Sequence, residues 1–222
     1  MKVKALLFDV YGTLISTGNG SVNAAKKILE SNGVSICPKE FYKSWKEIHR
    51  KNMNRDIFET ERKIFCEDLV ELYDFYDIKG NALQDVKVML NSLYKRIAFD
   101  ETKDSLRKLS YQYKLVIASN TDTEPLEENL FFNGLSFQNV YTSERLRCYK
   151  PNARFYKEIL ADMKLKCEEV IFIGDSETDD VLGPLSIGIK SIRICRKGIL
   201  PSDSKAALVL DRLPLIEDIE GL

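Results

Sequence analysis

The chain has 222 residues, 44% of them hydrophobic and 30% charged, with 33 Lys and Arg against 34 Asp and Glu and a formal net charge of −1. This composition excludes disordered and fibrous classes, and the near-neutral balance lacks the long-range pull on phosphate backbones that a nucleic-acid binder needs. The five cysteines form no CxxC pair and there is one histidine, His49, so neither a disulfide framework nor a zinc site is indicated and a reducing, cytoplasmic setting is expected.

Residues 3–8 (VKALLF) read as a first strand, ending at Asp9. Their apolar part is too short for a signal peptide, and no run in the chain approaches the ~20 residues of a membrane span. Residues 16–97 then show almost no strand pattern. Val22, Ala25, Ile28 and Leu29 form one helical stripe, closed by Asn32-Gly33, and Phe41, Trp45 and Ile48 form a second after Pro38. Ile64, Phe65, Leu69 and Leu72 form a third, and Val86, Met89, Leu90, Leu93 and Ile97 a fourth. Four helices exceed what a crossover needs, so residues 16–97 are expected to be a separate helical subdomain, hinged near 15–20 and 96–101.

Beyond it, short Val- and Ile-rich runs at 114–118 (KLVIA), 169–173 (EVIFI) and 189–194 (IKSIRI) read as strands. Helical spacing separates them: around 123–133, at Phe155, Ile159 and Leu160, and at Val181, Leu182, Leu185 and Ile187. The alternation predicts an α/β, Rossmann-like, doubly wound parallel sheet made of residues 1–15 and 98–222, with right-handed crossovers.

In open parallel sheets, ligands bind at the carboxyl ends of the strands. There stand Asp9 in FDVYGTL, Ser119-Asn120, and Asp175 in GDSETDD, with Lys150-Pro151 ahead of a helix. A lone Asp after a strand is commonly a cap or turn residue; the ordered set is what points to a site. Asp9, Asp175 and Asp179 gathered on one edge repel unless a cation joins them, and oxygen donors without His or Cys select Mg²⁺. An Asp beside a lysine and a hydroxyl can attack phosphorus and stabilise charge on phosphoryl oxygens.

The motifs FDVYGTL, IASN from residue 117, Lys150 and IGDSETDD from residue 173 stand in the order that resembles the haloacid dehalogenase (HAD) superfamily of aspartate-nucleophile hydrolases. The resemblance covers nearly the whole chain, and the helical segment at 16–97 resembles that family's helical cap. It implies Asp9 as the nucleophile that forms a covalent intermediate. It implies Ser119 as the binder of a phosphoryl or carboxylate oxygen, with Asn120 beside it, and Lys150 as the holder of the nucleophile. Asp9, the backbone carbonyl of Tyr11, Asp175 and Asp179 would carry Mg²⁺. Cap closure would exclude water and choose a small-molecule substrate.

One position departs from the pattern. Family phosphatases usually carry a second Asp, an acid/base, two residues after the nucleophile; here it is Tyr11. DxYGTL resembles the 2-haloacid dehalogenases, whose halide needs no proton, whereas the GDxxxxD metal pattern after residue 173 belongs with phosphatases. A Mg²⁺-dependent phosphatase acting through an aspartyl-phosphate is favoured; a 2-haloacid dehalogenase and a catalytically weakened metal- or phosphate-binding protein are the alternatives. Asp122, or a group of the cap, is a candidate replacement for the acid/base. His49 or Arg50, one helical turn from Trp45, is a candidate substrate reader, although packing at the border of the cap is the plainer role for His49.

Overall fold

The computed structural model describes residues 2–196, 198 and 200–222. Its frame is a parallel sheet of six strands: β1 (Ala5–Phe8), β2 (Lys114–Ser119), β3 (Asn139–Thr142), β4 (Val170–Gly174), β5 (Lys190–Ile194) and β6 (Leu208–Leu210). The spatial order is β3-β2-β1-β4-β5-β6. β1 and β4 are buried along every residue, as parallel strands covered on both faces must be. Phe8 pairs in register with Ile117 of β2 and with Ile173 of β4, so the residues after these three central strands emerge at one edge.

The helices are α1 (Gly20–Ser31), α2 (Pro38–Met53), α3 (Glu61–Tyr76), α4 (Ala82–Asn91), α5 (Thr102–Leu109), α6 (Thr123–Phe132), α7 (Ser143–Leu146), α8 (Ala153–Met163), α9 (Gly183–Leu185) and α10 (Ile216–Glu220). The fold class is the α/β, Rossmann-like one that the alternation predicts. Two short strands, β3 and β6, were not expected. The helix expected from Val181, Leu182, Leu185 and Ile187 is instead a π-helical turn, Glu177–Leu182, running into α9.

The chain divides into two compact units. One comprises Met1–Ser16, Ile97–Asn120 and Asn133–Leu222; the other comprises Thr17–Arg96 together with Thr121–Phe132. The first is the sheet unit. On one face of its sheet, Phe155, Tyr156 and Ile159 of α8 join Leu7, Val116 and Phe172 in a closed apolar layer. The second is helical, and its core collects residues of the four expected stripes: Ala25 and Ile28, Phe41 and Trp45, Phe65, Leu69 and Leu72, and Val86 with Met89; Ile97, expected at the end of the fourth, is exposed and belongs to the sheet unit, because α4 ends at Asn91. Trp45 stands edge-on to Phe41 and to Phe65, with ring centroids 6.0 Å apart in both pairs. Each such large side chain contributes about 1.5–3 kcal/mol by leaving water. Among the described residues, no helix is long and apolar enough to cross a membrane.

Candidate active site

The sheet unit carries the site. β1 delivers Asp9, whose backbone N–H is held by the carbonyl of Ile173 at 2.9 Å. The chain then folds back tightly, and the carbonyl of Val10 accepts the N–H groups of Leu14 and Ile15 at 2.9 and 2.8 Å. Gly12 in this turn has φ +97°, and a Cβ there would lie 2.4 Å from Oδ2 of Asp175. Only glycine meets both demands.

β2 delivers Ser119, buried, with its hydroxyl donating to Asp9 Oδ1 at 3.0 Å. Lys150 precedes α8 and is 3% exposed. Its ammonium donates to Asp9 Oδ1 at 2.9 Å and to Asp180 Oδ1 at 2.6 Å, and lies 5.1 Å from the centre of the Phe172 ring. Asn120 fixes the lysine's backbone: its amide nitrogen donates to the Lys150 carbonyl at 3.0 Å and its oxygen accepts the Lys150 N–H at 2.8 Å. The expectation placed Asn120 on the substrate, but this amide is engaged by Lys150.

β4 ends at Gly174 and is followed by Asp175 and the π-helical turn. Here the structure differs from the expected ligand set. The carboxylates that approach one another are Asp9, Asp175 and Asp180, with oxygens within 4.8 Å of each other. Asp179 is displaced from this group because Ser176 opens the turn. The Ser176 hydroxyl accepts the Asp179 N–H at 3.1 Å and donates to its carboxylate at 3.2 Å, while the Asp179 carbonyl accepts from Tyr156 at 2.5 Å. Asp180 points inward, held by the Ser176 N–H at 2.9 Å. A Cβ on Gly174 would lie 2.3 Å from its Cγ. The signal that finds Asp180 is the GDxxxxD spacing itself, which counted from Gly174 ends on Asp180.

Three carboxylates with one ammonium among them leave an excess of negative charge. Burial lifts the Asp180 carboxyl above the ordinary range, and the adjacent Lys150 offsets only part of that rise. Asp175 is lifted too, by desolvation and then by the charges of Asp9 and Asp180, although its side chain is the most open of the three. Burial alone would depress Lys150; the charges of Asp180 and Asp9 outweigh it and raise the ammonium's pKa, so it stays protonated. An oxygen-only set that resists its own negative charge fits Mg²⁺, and such an ion would be held by Asp9, Asp175 and Asp180. A place for the Tyr11 carbonyl in that set rests on the resemblance. The Tyr11 side chain is half-buried at the turn, and its backbone bridges to Ile15.

The remaining candidates lie in the helical unit. Asp122 is buried, and its two oxygens accept the N–H groups of Glu61 and Arg62, each at 2.8 Å. It therefore satisfies two of the orphan donors at the start of α3, while the Thr60 hydroxyl accepts the Lys63 N–H. His49 donates through Nδ1 to the buried Asp68 at 2.6 Å, stacks on Phe65 with centroids 4.5 Å apart, and has Glu61 3.7 Å from Nε2. Arg50 is exposed. Asn52 donates to the other oxygen of Asp68 at 2.7 Å, so Asp68 is the centre of a buried polar cluster that sequence reading missed; an acid inside an apolar helical stripe, Ile64, Phe65, Asp68, Leu69, was its signal.

A family model described as haloacid dehalogenase-like hydrolase matches residues 6–194. The glyceraldehyde 3-phosphate phosphatase of Methanothermobacter thermautotrophicus is 25% identical over 209 residues, covering 86% of this chain and 85% of that protein. The (S)-2-haloacid dehalogenase 4A of Burkholderia cepacia is 26% identical over 213 residues, covering 93% and 89%. Among solved structures, the HAD-hydrolase YfnB of Bacillus subtilis, bound to magnesium, superimposes with a TM-score of 0.80 at 17% identity, covering 100% of this chain and 98% of that one.

Proposed function

The chain belongs to the haloacid dehalogenase-like hydrolases, and within that family we propose that it is a Mg²⁺-dependent phosphatase of small phosphorylated molecules. The observation that carries this reading is the Asp9, Asp175 and Asp180 cluster closed by Lys150. Halide displacement from carbon has little use for such a cation site, whereas phosphoryl transfer needs positive charge around the transferring oxygens. The relative from Methanothermobacter thermautotrophicus, named as a phosphatase, and the magnesium in the YfnB structure support the same choice.

Asp9 attacks phosphorus and forms the aspartyl-phosphate. Lys150 holds the Asp9 carboxylate and faces the developing charge, while Ser119 holds the same oxygen from the β2 side. Asp180 keeps the ammonium aimed, and Asn120 fixes the lysine backbone beneath it. Mg²⁺, when bound, supplies the charge that lets three carboxylates face a phosphate dianion. Tyr11 favours a second reading, a 2-haloacid dehalogenase, in which the leaving halide asks for no acid.

Hydrolysis of p-nitrophenyl phosphate, with Mg²⁺ and with chelator, tests the reading against Asp9→Asn. Turnover that requires Mg²⁺ and falls by about 10³-fold or more in Asp9→Asn is the expected result. Chloride release from 2-chloropropionate without any phosphatase activity would replace this reading with the second.

A further inference from the structure

In β5, Arg193 stands between the buried Ile192 and Ile194 and pairs in register with Gly174, the last residue of β4. From there its guanidinium reaches the acidic segment after β4 with two donors. Nε donates to the Asp175 carbonyl at 3.3 Å, and Nη1 donates to Glu177 Oε2 at 2.8 Å. Glu177, at the start of the π-helical turn, is anchored in its own right. The Ser204 hydroxyl donates to Oε2 at 2.6 Å, and the Lys205 N–H donates to Oε1 at 2.8 Å. The guanidinium is planar and rigid, so a Glu177 fixed on one arm also fixes where the other arm can hold the Asp175 carbonyl.

That carbonyl belongs to the same peptide group as the Ser176 N–H, which donates to Asp180 Oδ2 at 2.9 Å. The group is planar and trans, so its C=O and N–H point opposite ways and fixing one end fixes the other. Asp9 is gripped by Ser119 and Lys150, and Asp180 by Lys150. Asp175, the most open of the three, receives no side-chain donor on its carboxylate among the described residues; its aim depends on its backbone. We infer that Arg193 is a positioning residue for the cation: by holding the Asp175–Ser176 peptide against Glu177, it aims Asp175 and Asp180 at one point. The inference rests on the Mg²⁺-dependent reading above. Charge alone predicts the opposite effect, because a guanidinium repels a cation and its removal would tighten Mg²⁺ binding. Loss of the groups that orient metal ligands weakens binding, typically by about 10–100-fold.

The test is titration calorimetry of Mg²⁺ into the full chain without substrate. In Arg193→Met, which keeps the length and loses the donors, the Mg²⁺ Kd is expected to rise about 10–100-fold. Its kcat on p-nitrophenyl phosphate should recover at saturating Mg²⁺. Arg193→Lys keeps the charge but not the planar fork; it should also weaken binding, and it decides the question should Arg193→Met not fold. An unchanged or lower Kd in a folded Arg193 variant overturns the inference and leaves the phosphatase reading standing. A kcat that stays low at saturating Mg²⁺ overturns it too, because the fault would then not lie in holding the ion. Wild-type protein that binds no Mg²⁺ overturns the reading, and the inference with it.

Discussion

Gly174 and Gly12 let the carboxylates come as close as they do. A methyl group on Gly174 would lie 2.3 Å from Cγ of Asp180, and the same group on Gly12 would lie 2.4 Å from Asp175. At Gly174 the obstacle is the side chain that Lys150 grips, so relief must come from moving Asp180 off the lysine. Gly174→Ala is therefore expected to lower kcat/KM by at least ~10²-fold while costing about 1–3 kcal/mol in urea unfolding, the range for overpacking a tight interior. Unchanged turnover would mean that Asp180 can shift without consequence. Residues at this scale were partly legible: Asp9, Ser119 and Asp175 end or follow an apolar run, whereas Lys150 stands ahead of a helix and was marked only by its place in the motif order. Asp179 and Asp180 are neighbours in an acidic string, and which one faces inward is decided by the Ser176 turn, which hydropathy does not report.

At the scale of elements, α2 and α3 are joined by charge as well as by apolar packing. Burial would depress the imidazole of His49, but its hydrogen bond to Asp68 and the nearby carboxylate of Glu61 prevail and push it up to about 9. Because this lies above the ordinary 6.5, the stabilisation is complete below about pH 6.5 and is lost as pH rises through about 9. The contribution is on the order of 3 kcal/mol at most. Urea unfolding between pH 6 and pH 9.5 should show the wild-type protein losing more stability than His49→Gln, and equal losses would remove His49 as the source. The helical stripes made α1 to α4 readable, since 3.6-residue periodicity survives whatever the helix packs against. The strands β3 and β6 were not readable. At four and three residues, with only two buried positions in β3 and none in β6, they present no apolar run. Equally hidden was the Asp122 cap on α3, formed by residues about sixty positions apart.

Over the whole molecule, the sequence suggests a sheet core left and re-entered once, near 15–20 and 96–101. The chain in fact passes between its two units at four places, because Thr121–Phe132 belongs to the helical unit. Among the described residues, two buried side chains help tie that segment there: Asp122 on the start of α3, and Asn129, which accepts the Arg96 N–H at 2.9 Å and donates to the Leu93 carbonyl at 2.7 Å. Asp9, Lys150, Asp175 and Asp180 all belong to the sheet unit, so a cation on the carboxylates acts on the folded state of that unit. An ion that binds the folded chain and not the unfolded one stabilises it by about 2.7 kcal/mol at a hundred times its Kd. At roughly 2–4 °C per kcal/mol for a chain of this size, saturating Mg²⁺ should raise Tm by roughly 5–10 °C. Asp175→Asn, which removes one charge from the cluster at its most open member, should abolish most of that shift while leaving the Mg²⁺-free Tm equal or higher, because it also relieves repulsion. A Mg²⁺ response that persists undiminished in Asp175→Asn would place the ion elsewhere in the molecule and would leave the three carboxylates without the partner their charges require.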